Sequence, residues 1–418
     1  MIVYRAQLAR AEALLGELLS STGPADAVVS RYFRAHRNLG QQDRAFVAET
    51  VYAVLRRRRS LEAAAQSSVP RDLAIAAMVR VRGLSGRALE GVLREGEQDV
   101  VARVRAAKAD AFPPAVRADL PDWLWERLAA LYGAEEAMRV AQGLLNPAPL
   151  DLRVNLAKLD RDAALAKLQA SGIEAQATPY SPAGIRVAGK PAINRHALFT
   201  SGAIEVQDEG SQLLAYLLAP RRGEMVADYC AGAGGKTLAL AMLMRGTGRL
   251  YAMDVSARRL AELAPRAARA GVTSVHPLVL SGESDARAKR LAGKIDRVLV
   301  DAPCSGFGTL RRNPDLKWRH GAEAVAELAA KQARILEAAA RLLKPGGRLV
   351  YATCSILPEE NESIADAFAA AHADFVPLSC KDLLAAQRIE LPCAERLRLW
   401  PHVHGCDGFF AAAFERRA

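Results

Sequence analysis

The stretch EMVADYCAGAGGKTLALAMLM, residues 224–244, decides the fold. A short run, MVADY, leads without a break into a turn holding Gly232, Gly234 and Gly235, and the turn opens onto the apolar segment LALAML. Glycines at a strand-to-helix turn let the backbone approach a ligand closely. Turns of this kind serve nicotinamide cofactors, nucleotides and S-adenosylmethionine alike. GKT superficially resembles a phosphate-binding loop, but such a loop would need glycine at the position held by Cys230. A phosphate cradle is therefore disfavoured.

Reading outward, GRLYAMDVS (248–256) predicts the next strand and ends in Asp254, about 20 residues past the glycines, where a carboxylate can accept from both ribose hydroxyls of a nucleoside cofactor. The competing role for Asp254 is an N-cap for the helix ARRLAELA, a job that Ser256 can do equally well. KIDRVLVDAP (294–303), a long helical pattern over 322–347 and the strand RLVYATCS (348–355) continue the alternation of strand and helix. Such alternation predicts an α/β fold, a Rossmann-like parallel sheet over 205–418 with ligands at the carboxyl ends of its strands.

Two cysteines fall at those ends: Cys304 in Asp301-Ala302-Pro303-Cys304-Ser305-Gly306, and Cys354 in Thr353-Cys354-Ser355. A buried cysteine is commonly only a small hydrophobe, and either residue alone carries that reading. Two at strand ends beside the glycine loop point to chemistry instead. A thiolate suits conjugate addition to an electron-poor ring carbon. Cytosine C5 is too weak a nucleophile to take a methyl group directly, but a thiolate added at C6 turns C5 into an enamine carbon. A carboxyl group near N3 then offsets the developing charge, and a base removes the C5 proton so that the thiolate leaves.

The upstream chain has a different texture. Residues 141–204 predict a small α+β unit: PLDLRVN as a strand, DRDAALAKLQASG as a helix, EAQATPYSPAGIRVAG as one or two strands. Residues 1–140 predict helix after helix, with turns at Thr22-Gly23-Pro24, Asn38-Leu39-Gly40 and Ser68-Val69-Pro70. In QQDRAFVAETVYAVLRRRR (41–59), Val47, Val51, Val54 and Leu55 line one face. Arg56 to Arg59 follow at its end, either complementing the helix dipole or touching RNA. Pro113-Pro114 interrupts the pattern, and LPDWLWERLAALYG restarts it with Asp122 as the expected N-cap.

The net charge of +11 fits a polyanionic partner, and more than half of the excess lies in residues 1–120. Six cysteines without a CxxC pair argue against a disulfide framework and a zinc knuckle. No stretch approaches the roughly 18 apolar residues of a membrane span, and the N-terminus is unlike a signal peptide, so no membrane association and a cytoplasmic address are expected.

YATCSILPEENE (351–362), VDAPCSGFGTLRRNPDLKW (300–318), DYCAGAGGKT (228–237) and DGFFAA (407–412) together resemble the Sun-family (RsmB-like) S-adenosylmethionine-dependent RNA cytosine-5 methyltransferases over about 145–418. The resemblance implies Cys354 as nucleophile, Cys304 as the partner that releases product, and Asp301 as the catalytic-site carboxylate. It implies a loop for S-adenosyl-L-methionine at Cys230, Ala231, Gly232, Ala233, Gly234, Gly235 and Lys236, with Asp254 on the ribose. Possession of both cysteine motifs implies RNA rather than DNA as substrate. Two departures stand out: Ala233 where proline is common, and Gly282-Glu283 where Gly-Asp usually holds the adenine end, with Asp285 a rival to Glu283. LGQQDRAFVAETVYAVLRRRR resembles a NusB-like RNA-binding domain, and PLDLRVN with VQDEGSQ resembles the family's small RNA-binding domain.

Arg311, Arg312, Asn313, Lys317 and Trp318, just past the Cys304 loop, suit an unstacked RNA strand or support of the active site, the alternative being an ordinary surface loop. Glu359, Glu360, Asn361 and Glu362 are expected to serve a helix start. His402, His404, Cys406 and Cys393 match no common zinc spacing, and no metal is expected. The expected activity is cytosine-5 methylation of ribosomal RNA by a monomer, with tRNA as the alternative substrate. A non-catalytic RNA-binding assembly factor and a nicotinamide-dependent oxidoreductase are the rival classes, the latter leaving the paired cysteines without a role.

Overall fold

The computed structural model describes residues 3–417. The chain forms two compact units, one of residues up to Pro147 together with Thr309–Ala322, the other of Ala148–Gly308 and Glu323 onward.

The first unit is helical. Arg5–Ser20, Gln41–Arg56, Pro70–Arg80 and Glu97–Ala106 enclose a core that includes Leu8, Leu15, Val47, Val51, Val54, Leu73 and Met78. The apolar face expected on residues 41–59 is thus buried, each such side chain contributing about 2 kcal/mol. The four arginines do not simply cap that helix. It ends at Arg56, and a second helix begins at Arg58. Arg56 donates to the Arg311 carbonyl, Arg58 pairs with Glu62, and Arg59 reaches Asp122 and the Leu120 carbonyl. Asp122 is therefore not the N-cap of its helix, Asp122–Tyr132, where Pro121 stands; it is the first helical residue and an ion-pair partner.

The second unit holds two sheets. Strands β1 (Leu150–Val154), β2 (Ala175–Ala177), β3 (Gly184–Val187) and β4 (Ile204–Val206) form an antiparallel sheet in the order β2-β3-β1-β4, with the helix Arg161–Ala170 capped by Asp160. The larger sheet contains β5 (Met225–Asp228), β6 (Arg249–Asp254), β7 (Val275–Val279), β8 (Ile295–Asp301), β9 (Leu343–Thr353), β10 (Phe375–Leu378), β11 (Leu397–Leu399) and β12 (Phe409–Arg416). Its order is β10-β12-β9-β8-β5-β6-β7, with β11 paired to β12. Strands β5 to β9 run parallel, and β12 turns antiparallel to β9. The long helix ends at Ala340, earlier than its sequence pattern suggests, because Pro345 and the glycines after it enter β9, whose pairing with β8 is irregular there.

Helices cover both faces of this sheet, which is why its central strands are apolar without alternation. Leu213, Leu217, Leu240 and Val350 pack on one side, Ile335, Leu336, Tyr351 and Phe410 on the other. The chain reverses its winding between β5 and β8, so the crevice above their carboxyl ends is where a ligand belongs. Among the described residues no helix is long and apolar enough to cross a membrane.

Candidate active site

The glycine loop after β5 adopts the conformation its composition suggested. Gly232 and Gly234 have φ of +54° and +84°, and a Cβ on Gly234 would stand 2.2 Å from Leu263. The loop is pinned from outside: Arg266 donates to the Ala233 carbonyl at 2.5 Å and Arg153, from β1, to the Gly235 carbonyl at 2.8 Å. At the end of β6, Asp254 accepts the backbone N–H of Gly232 at 2.8 Å and of Ser256 at 2.7 Å. Ser256, not Asp254, caps the following helix, through Arg259 N–H.

Loop and strand ends enclose a cleft of about 590 Å³ lined by Cys230, Asp254, Glu283, Asp301, Cys304 and Cys354 among others. That volume suits a nucleoside-sized ligand. Asp254 is held with lone pairs to spare, since a carboxylate has about four acceptor sites and two are in use. Glu283 faces the cleft and lies 3.9 Å from Arg334. Asp285 does not line it: both its oxygens are taken, by Ser281 and by the backbone and guanidinium of Arg287, and it caps the short helix after it. Those bonds hold its carboxyl well below the usual range.

The two thiols meet at the same cleft. Cys304 Sγ and Cys354 Sγ are 3.4 Å apart, on loops leaving the neighbouring strands β8 and β9. The hydrogen bond to Cys354, and then burial, push the Cys304 thiol far up. The floor beneath the two thiols is tight. Gly308 N–H donates to the Cys354 carbonyl at 2.8 Å, and Gly408 N–H, from the DGFF segment, to the Gly308 carbonyl at 2.8 Å. A Cβ on Gly308 would sit 2.2 Å from the Gly408 carbonyl. Three segments distant in sequence are thereby sewn together.

Lys236, read from sequence only as a loop member, reaches across to Asp301 at 2.7 Å and lies over the Phe409 ring. Burial alone would lower its pKa, but the charge and hydrogen bond of Asp301 outweigh it, and Lys236 is pushed up. It is a fixed cation at the site.

Two expectations need correcting. Lys317, expected at an RNA strand or the active site, is buried, and Trp318 is half-buried. They belong to the helical unit, where Lys317 Nζ donates to the Arg56 carbonyl at 2.7 Å and Trp318 Nε1 to the Leu55 carbonyl at 2.8 Å. Arg311 is buried there too, while Asn313 is exposed and Arg312 half-buried. The acidic run 359–362 is also more than a helix start. Glu362 opens the helix Glu362–Ala371 and pairs with Arg398, whereas Glu360 is fully buried between the cysteine loops. Nothing in a helix-start reading signals this; the one clue is an acid two residues after a proline that follows an apolar pair. His404 accepts the Trp400 N–H at 2.9 Å, and Cys406 is buried.

A Rossmann-like sheet whose strand β12 runs antiparallel beside β9, with a glycine loop after β5 and a carboxylate at the end of β6, fits the methyltransferase class. The comparisons agree. Residues 215–415 match the model of the 16S rRNA methyltransferase RsmB/F family, and residues 120–194 that of an RsmF/B-like ferredoxin-like domain. The latter range begins ahead of the boundary at 141 and takes in two helices of the first unit. The chain is 34% identical over 349 residues to the "Probable ribosomal RNA small subunit methyltransferase B" of Bacillus subtilis (strain 168), covering 81% of this chain and 76% of that one. It is 30% identical to the protein of the same name from Synechocystis sp. (strain ATCC 27184 / PCC 6803 / Kazusa), covering 94% and 95%. The crystal structure of PH0851 superposes over the full length of both chains with a TM-score of 0.77 at 26% identity. This chain belongs to the RsmB/F methyltransferase family.

Proposed function

We propose that the chain transfers a methyl group from S-adenosyl-L-methionine to C5 of a cytosine in small-subunit ribosomal RNA, through a covalent bond between Cys354 Sγ and cytosine C6. The observation that carries this reading is the 3.4 Å approach of Cys304 and Cys354 on the wall of the Asp254 cleft. The relatives named as small-subunit rRNA methyltransferases support the substrate.

The cleft suits the methyl donor: Asp254 takes the ribose hydroxyls, Glu283 the adenine end, and residues 230–236 bring backbone close to the rest. The bound donor supplies an electrophilic methyl on sulfur. This chain's own residues do the remainder. Cys354 adds to C6 as a thiolate, and the C5=C6 electron pair shifts into the ring. Asp301 faces N3 and holds the Lys236 ammonium there, whose positive charge offsets the negative charge that develops. C5, now an enamine carbon, takes the methyl, and the electron pair of the methyl–sulfur bond stays on the donor's sulfur. Cys304 then assists removal of the C5 proton, and the C6–S bond breaks as the ring regains its double bond. Contact with Cys354 is the largest cause that raises the Cys304 thiol; with Cys354 bonded to C6 that cause is removed, which favours Cys304 in taking the C5 proton.

Bisulfite sequencing of total RNA from a deletion strain tests the reading: one 5-methylcytosine in the small-subunit rRNA is lost and returns with the wild-type gene. Loss confined to tRNA would move the substrate. No lost site anywhere would contradict the reaction.

A further inference from the structure

We infer that Glu360 is the positioning residue that sets the distance between the two thiols, an inference resting on the methyl-transfer reading above. Its carboxylate is completely buried, and no basic side chain pairs with it among the described ion pairs. It is held by donors alone. Oε1 accepts Ser305 N–H at 2.8 Å and Gln332 Nε2 at 3.0 Å; Oε2 accepts the hydroxyls of Ser305 and Ser355, each at 2.5 Å.

The identity of those donors gives the role. Ser305 directly follows Cys304, and Ser355 directly follows Cys354. One carboxylate therefore grips the residue next to each thiol. Gln332 extends the grip, donating also to the Pro303 carbonyl at 3.0 Å, one residue before Cys304. Tyr351 ties the Glu360 backbone down, its hydroxyl donating to the Glu360 carbonyl at 2.5 Å. Asn361 completes the anchor from the other side, donating to the Ser355 carbonyl at 3.1 Å. A buried ion without a counter-ion is costly unless several hydrogen bonds satisfy it, and a carboxylate, which only accepts, can draw an N–H and two hydroxyls inward at once. Glu360 does not line the donor cleft, so its effect reaches the reaction through the two loops.

Glu360→Gln keeps the shape but loses the charge, and its amide must donate where the carboxylate accepted. The direct readout is the proximity of the thiols, measured as the rate at which diamide oxidises the pair. Each thiol gives up one electron and one proton, a Cys304–Cys354 S–S bond forms, and diamide is reduced to the hydrazine. The full-length variant should form this disulfide about tenfold more slowly than wild type, and its single-turnover methylation should fall about tenfold or more, with donor affinity by isothermal titration unchanged. Glu360→Asp, shorter by one methylene, should recover part of both rates. Ser355→Ala removes one arm without touching the charge and should move both rates in the same direction but less, which keeps the test open if Glu360→Gln folds poorly. Disulfide and methylation rates within twofold of wild type in Glu360→Gln and in Ser355→Ala would overturn the inference. A slowed disulfide in a protein whose wild type makes no 5-methylcytosine would uphold the clamp and reject the methylation reading instead.

Discussion

Asp228 shows how closely the site trades stability against placement. It ends β5, is completely buried, and accepts the Thr237 hydroxyl at 2.7 Å with one oxygen, while the other has no hydrogen-bond partner. Burial raises its pKa to about 7. A folded-state value above the unfolded one of about 3.9 means that the folded protein holds a proton the unfolded chain has lost, so stability falls as pH rises through this window. Asp228→Asn should therefore gain stability over wild type at pH 8 and show little gain at pH 4, read as urea midpoints across that range. Asp254, Asp301, Cys304 and Cys354 were legible as candidates because each closes an apolar strand pattern, and strand ends are where such folds bind ligands. Glu360 and the Lys236–Asp301 pair were not. Glu360 joins Ser355 to Ser305, 55 residues away, and Lys236 meets Asp301 65 residues away; no local periodicity encodes contacts at that range.

At the scale of elements, the loops carrying the thiols depend on two glycines as much as on side chains. Gly308→Ala would drive a methyl group to within 2.2 Å of the Gly408 carbonyl and 2.8 Å of the Cys354 carbonyl, against backbone that cannot swing away. The expected result is a loss of about 2 kcal/mol in stability and a larger loss of methylation than of donor binding, measured on one preparation. The segment after the Cys304 loop gives a second case. Lys317 is buried in the helical unit near Asp119, Arg56 and Arg57, and burial lowers its pKa to about 7. The unfolded chain keeps its proton up to about pH 10, so wild-type stability rises as pH climbs from 7 towards 10. Lys317→Met should be more stable than wild type at pH 7, with the gap closing towards pH 10 in thermal or urea unfolding. The sequence pattern placed this segment by its neighbour, the Cys304 loop. Its real partner is a helix some 260 positions earlier, reached through Lys317 and Arg56.

At the scale of the whole molecule, the strand–helix alternation was readable because a parallel sheet covered on both faces writes long apolar runs into the chain. The division into units was less so, since residues 309–322 leave the catalytic unit and return to it within a dozen or so positions. A net charge of +11, concentrated towards the N-terminus, predicts that RNA affinity weakens at least about tenfold between 50 and 200 mM salt, by filter binding with a small-subunit rRNA fragment. The central claim, that Cys354 bonds to the base and Cys304 lets it go, is tested most directly on a denaturing gel after incubation with RNA and methyl donor. Cys304→Ala should accumulate a protein–RNA adduct that survives denaturation, and Cys354→Ala should form none. An adduct in Cys354→Ala would contradict the account.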